Sequence, residues 1–214
     1  MKKILFLAII AMIGLQTQAQ IVSSRSSMIT REVIDRGGWS TIGVEYLPST
    51  FKLDGSSSSK SFTGLAINYT NAISLSQKIP FFLEWGIGGQ YSFCNFDEKS
   101  YEYSIKMVSV KAPVNFIYDI ALPNTNIHLD PFVGVKFRVN VWGEIKEEYR
   151  GKSETYNIFG DKGTGKRFQA GLQLGLKARF NNKFFIGAGY GFDFNEVWEK
   201  CKIQEVKLMA GFVF

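Results

Sequence analysis

Histidine, cysteine and long apolar runs are scarce in this chain, and each shortage removes a class of function. One histidine, His128, and two cysteines, Cys94 and Cys201, are too few for a metal cage, and no cofactor is expected. Two cysteines fit an oxidising compartment without demanding one. Beyond the first twenty residues no stretch is long and apolar enough for a membrane helix. That excludes a helical membrane protein but not a strand-built one, whose spanning segments are short and alternating. Lys and Arg outnumber Asp and Glu by 25 to 19, for a net charge of +6, yet they form no dense cluster, so no nucleic-acid partner is expected.

The start of the chain is built for export. Met1-Lys2-Lys3 is a short positive region, and Ile4 to Leu15 is apolar but shorter than the ~18 residues a membrane span needs. Thr17 and Ala19 place small residues where a signal peptidase reads, which makes 1–19 the expected signal peptide and Gln20 the mature N-terminus. No Cys follows the apolar run, so no lipid anchor is expected.

From Trp39 onward the dominant signal is period two, the mark of strands with unlike faces. In the cleanest run Phe168, Ala170, Leu172, Leu174, Leu176, Ala178 and Phe180 alternate with Gln169, Gly171, Gln173, Gly175, Lys177 and Arg179. After Asn181-Asn182 the pattern resumes, with Phe184, Ile186, Ala188, Tyr190 and Phe192 against Phe185, Gly187, Gly189, Gly191 and Asp193. Val206, Leu208, Ala210, Phe212 and Phe214 oppose Glu205, Lys207, Met209, Gly211 and Val213, and Val133 to Val141 and Leu83 to Tyr91 behave alike. Weaker runs cover Ser40 to Tyr46, Gly64 to Thr70 and Tyr101 to Tyr118. In the last, apolar residues switch from odd (Tyr103, Ile105, Met107) to even positions (Val108, Val110, Ala112), which predicts a β-bulge near Met107-Val108.

That makes eight strands. Their connections alternate: polar loops at Ser56–Ser61, Asn95–Ser100, Glu144–Lys166 (the longest) and Asn195–Lys200, and mostly shorter turns at Asn71 to Pro80, Pro123-Asn124 and Asn181-Asn182. This predicts an all-β chain folded as an eight-stranded antiparallel up-and-down barrel.

Periodicity leaves open which face looks outward. A soluble lipocalin-like ligand carrier would hide the apolar face, and a transmembrane β-barrel would expose it. Glycine crowds the polar face, where it is useful only inside a narrow barrel. Aromatic residues sit near strand ends (Phe168, Phe180, Phe184, Phe194, Tyr103, Tyr118), as interfacial girdles require. The chain also stops on Phe214 with the apolar face outermost. The expected division is a signal peptide at 1–19, a periplasmic segment at 20–38 and an outer-membrane barrel at 39–214.

Ile79-Pro80-Phe81-Phe82-Leu83-Glu84-Trp85-Gly86, Val110-Lys111-Ala112-Pro113-Val114-Asn115-Phe116 and Pro131-Phe132-Val133-Gly134-Val135 resemble strand segments of PorT-like outer-membrane β-barrel domains of Bacteroidetes-type bacteria. Phe212 and Phe214, in the terminal Gly211-Phe212-Val213-Phe214, look like the C-terminal signal read by barrel-assembly machinery. The resemblance implies localisation in the bacterial outer membrane, with membrane lipid and lipopolysaccharide as surroundings. It implies little about activity, since one branch alone serves type IX secretion.

With this parity Glu45, Glu84, Lys111, Lys136, Arg138, Lys177, Arg179, Glu205 and Lys207 point into the lumen. Six bases against three acids allow either a plug of ion pairs or a small anion-preferring pore. Cys94 and Cys201 belong near the outer rim, where a disulfide between loops would need Cα atoms within ~7 Å. Gly160 to Lys166 has phosphate-loop spacing, but Arg167 replaces the Ser or Thr that would hold magnesium and a strand follows, so it is a Gly/Lys surface loop. His128 falls at the periplasmic end, away from where outer-membrane lipid-cleaving barrels work, and no enzyme is expected. Tyr101, Trp142, Tyr149, Tyr156, Phe159 and Trp198 on the loops suit membrane anchoring or a protein partner. The expected function is a structural or interaction barrel, with an accessory role in secretion or envelope assembly as the alternative.

Overall fold

The computed structural model describes residues 37–53, 59–98, 101–160, 163, 165–198 and 201–214. The expected signal peptide and nearly all of the expected 20–38 segment lie outside these residues, as does the centre of the Ser-rich loop. Among the described residues ten strands form one antiparallel sheet: β1 (Trp39–Leu53), β2 (Ser59–Ser74), β3 (Phe81–Glu98), β4 (Tyr101–Tyr118), β5 (Ile120–Ala121), β6 (Ile127–Tyr149), β7 (Lys152–Asn157), β8 (Phe168–Phe180), β9 (Phe184–Asp193) and β10 (Cys201–Val213). Eight of them make a closed wall in the order β1-β2-β3-β4-β6-β8-β9-β10, with β10 returning to pair with β1. Phe214 completes the closure: Ser40 N–H donates to its carbonyl at 2.7 Å, and its own N–H donates to Ser40 O at 2.9 Å. Closure leaves no open sheet edge around the wall.

The alternation becomes an inside and an outside. Ile42, Val44, Leu65, Ile67, Val133, Leu174, Ile186, Leu208 and Phe212 are all exposed on the outer surface. The polar partners on each strand are buried within. A lipocalin-like arrangement, with the apolar face inside, is therefore ruled out. Aromatic rings border this outer band at the end where Phe214 lies (Phe81, Tyr118, Phe184, Phe214), here termed the turn end. Another set borders it at the opposite, loop end (Tyr91, Phe93, Trp142, Phe168, Phe194). Tyr103 is not in a girdle. It lies on the inner face, stacked on Phe96, and its hydroxyl donates to Glu147 at 3.1 Å.

The bulge sits one strand away from its expected place. Burial in β4 alternates without a break through Ile105, Met107, Ser109 and Lys111, so the apolar switch in the sequence is not a change of face. Ile105 and Met107 point inward because the lumen itself turns apolar at this height. The extra residue is in β6, where Val108 pairs with Trp142 and Ser109 with Asn140, leaving Val141 unmatched.

The interior is layered. At the turn end Phe82, Ile117, Phe132, Phe185, Met209 and Val213 pack together with Trp39. At the loop end Phe62, Cys94, Ile105, Met107, Ile158, Phe159, Val197, Cys201 and Ile203 form a second apolar cluster. Between the two lies a polar layer. Glycines make room for the large rings: a Cβ on Gly211 would meet the Phe185 ring at 2.7 Å, and one on Gly175 the Phe132 ring at 2.6 Å.

Candidate functional site

All nine charged residues assigned to the lumen lie there, and they form ion pairs across it. Lys177 of β8 donates to Glu84 of β3 at 2.6 Å, and Glu84 also accepts from Asn115 at 2.8 Å and Thr70 at 3.0 Å. Lys111 pairs with Glu45. Lys136 meets Glu205 at 2.7 Å and Asp193 at 3.0 Å, while Arg138 meets Glu205 at 3.3 Å and pairs with Asp193. Near the turn end Arg179 holds Asp130 at 2.5 Å and Asp119 at 3.2 Å, and its guanidinium lies 3.6 Å from the centre of the Trp39 ring. The neutral residues knit these pairs together: Gln173 donates to Asn115 at 2.6 Å and accepts from Lys207.

Two buried acids were missing from the sequence-based set, Asp130 and Asp193. Asp193 shares the inward parity of Gly189 and Gly191. Asp130 shares that of Lys136 and Arg138, once β6 is seen to begin six residues before Val133. With them, six buried bases face five acids among the described residues, and Asp119 at the rim is a sixth. The excess of three bases that favoured an anion-preferring pore shrinks to one, and to none when Asp119 at the rim is counted. Among the described residues no open path crosses the polar layer, where three cavities measure about 30, 20 and 10 Å³. A water needs ~10–15 Å³, so each has room for no more than a few. Lys and Arg buried at this depth are tolerable because they are paired, and pairing fixes the opposite walls to each other.

The loop end is more structured than the sequence suggested. The stretches expected as loops at Asn95–Ser100 and Glu144–Lys166 are largely strand. β3 and β4 stay paired up to Glu98 and Tyr101, β6 runs on to Tyr149, and β7 pairs back along it from Tyr149–Lys152 to Glu144–Asn157. β3, β4, β6 and β7 thus continue as a sheet past the girdle. Tyr101 stacks on Tyr149 at 4.5 Å on one face, while Lys106–Glu144 (3.8 Å) and Lys146–Glu148 (3.2 Å) sit on the other. Every residue of β7 is exposed. After β7 the chain turns into the barrel mouth, inserting Ile158 and Phe159. Arg167 clamps this segment by donating to Phe159 O at 2.7 Å and Val141 O at 3.1 Å. Ile158 and Phe159 therefore form a lid, with Gly165 N–H bonded to Ile158 O at 3.1 Å.

Cys94 and Cys201 are buried thiols in the apolar cluster beneath that lid, not halves of a disulfide. Their strands are separated by β2 and β1 around the wall, three spacings of ~4.8 Å. That lies beyond the ~7 Å a disulfide spans. His128 is at the turn end, where its Nδ1 lies 2.7 Å from Asp119 Oδ1.

Among solved structures, the chain is similar to Ail, the attachment invasion locus protein of Yersinia pestis, crystallised with the heparin analogue sucrose octasulfate. Identity is 23%, the match covers 83% of this chain and 99% of Ail, and the TM-score is 0.45. Neisserial surface protein A shares 12% identity over 83% of this chain and 97% of its own, with a TM-score of 0.46. The outer-membrane enzyme PagL shares 12% over 79% and 97%, with a TM-score of 0.45. No curated protein sequence matches. The family model described as an outer membrane protein beta-barrel domain matches residues 5–214. With a closed eight-stranded wall and an apolar outer band beside that match, the chain belongs to the outer membrane protein β-barrel domain family and is a bacterial outer-membrane barrel.

Proposed function

We propose that this barrel is a non-catalytic interaction protein whose working part is the sheet that β3, β4, β6 and β7 extend beyond the membrane. Outer-membrane barrels turn tightly in the periplasm and carry their longer segments outside, which makes the loop end extracellular. The observation that carries the reading is β7: all six of its residues are exposed, and one edge of its backbone pairs with nothing among the described residues. Such an edge offers backbone hydrogen bonds to an extended partner segment. The two apolar layers and the ion-pair layer between them argue against transport through the lumen. The partner is a protein in this reading. A PorT-like accessory role in secretion or envelope assembly is one form of it, resting on the three strand segments quoted above.

Photo-cross-linking on intact cells tests this. A cross-linker at Tyr156 should yield a discrete protein adduct, and one at the lipid-facing Leu208 should not. Equal labelling from both positions would reject the extracellular sheet as the docking element.

A further inference from the structure

The ion pairs of the lumen divide into two groups of opposite imbalance. Near the turn end one cation, Arg179, serves two carboxylates, Asp130 and Asp119. That surplus is relieved at the rim, where Asp119 also faces His128. In the central layer five cations share four carboxylates among the described residues. Lys111 takes Glu45, Lys177 takes Glu84, and Lys136, Arg138 and Lys207 divide Asp193 and Glu205 between them. Lys207 is the surplus cation. The carboxylate it faces at 3.4 Å, Glu205, is already held by Lys136 at 2.7 Å and Arg138 at 3.3 Å. Its other partner is the neutral Gln173 amide oxygen. A buried cation that shares its carboxylate with two others is incompletely neutralised, and this one lies deep between two apolar layers.

The same place holds the largest of the three lumen cavities, about 30 Å³, with four lysines (Lys111, Lys136, Lys177, Lys207) and two glutamates (Glu45, Glu84) in its wall. We propose that this cavity binds a small monovalent anion of halide size, held by the ammonium groups of those lysines. Charge fits, because one halide supplies the one negative charge the layer lacks. Size fits, because space for one or two waters admits a halide and excludes sulfate, phosphate or an organic acid. Chemistry fits, because ammonium groups are pure hydrogen-bond donors and the anion a pure acceptor. The ion is a structural part of the plug and not cargo in transit, since both ends of the lumen are sealed.

The test is unfolding of the purified full-length protein in vesicles. Sodium chloride or bromide replaces sodium gluconate at constant ionic strength, and bromide-grown crystals supply an anomalous map. A ligand bound to the folded state alone stabilises it with the logarithm of concentration. The urea midpoint should therefore rise with halide and stay flat in gluconate, and bromide should give an anomalous peak beside Lys207. Lys207→Met should lose the halide dependence and, in gluconate, unfold no earlier than the unsubstituted protein. Superimposable halide and gluconate curves, or an anomalous map blank at the cavity, would overturn the site in favour of water alone. If Lys207→Met does not fold, the titration and the map of the unsubstituted protein still decide.

Discussion

Lys177 and Glu84 join opposite parts of the wall, the ammonium donating to the carboxylate at 2.6 Å with both side chains buried. Glu84 then reaches Thr70 and Asn115, so four strands converge on one carboxylate. Removing one member of such a pair strands the other charge. Lys177→Met is expected to destabilise the barrel by about 3–5 kcal/mol. Adding Glu84→Gln should restore much of the loss. A double-mutant cycle from urea unfolding in vesicles measures this, and additive losses would mean the two groups do not interact.

The outer band makes a depth-dependent prediction. Leu174 is 51% exposed on the outer face midway along β8. Leu174→Arg should cost about 2–4 kcal/mol there, while Val141→Arg at the girdle should cost about 0–1 kcal/mol. Equal small effects in the same unfolding assay would mean that this face meets water.

Conductance should be absent. The protein reconstituted in a planar bilayer is expected to show no discrete current steps, because apolar layers close both ends of the lumen. Deleting the lid from Ile158 to Lys166 should not open it either, since the ion-pair layer remains. Steady channels from the intact protein would return the pore to consideration.

The lid can be lifted by one methyl group. A Cβ on Gly143 would stand 2.7 Å from the Phe159 ring and 3.2 Å from the Ile158 side chain. If overpacking costs the closed lid about 1–3 kcal/mol, Gly143→Ala should speed maleimide labelling of the buried Cys94 and Cys201 by roughly five- to hundredfold. Gly143→Ala with Phe159→Ala should not label faster than Phe159→Ala alone. Mass spectrometry of the unsubstituted protein, alkylated after unfolding without reductant, should show two modified thiols. No modified thiol would mean that Cys94 and Cys201 are joined.

The amino-acid order alone determined the barrel and which residues of its cleanest strands face the lipid. Lipid demands an apolar side chain at every outward position, so Leu172, Leu174 and Leu176 in β8 and Leu208, Ala210 and Phe212 in β10 announce their face without any partner in view. Nothing so uniform governs the inside. Ile105 and Met107 face inward because the lumen is apolar at their height, and only the closed ring of strands shows that. Beyond the girdle both faces of a strand meet water or each other, so Glu144 to Tyr149 carries no lipid signature and reads as a loop in sequence, although it is paired on both sides. Tertiary structure also decided the charges. Parity put six bases inside, but Asp193 and Asp130 gained meaning once β9 and β6 were laid against Arg138 and Arg179. Ion pairs form across the lumen between strands distant in sequence, and the alternation within a single strand carries no record of them.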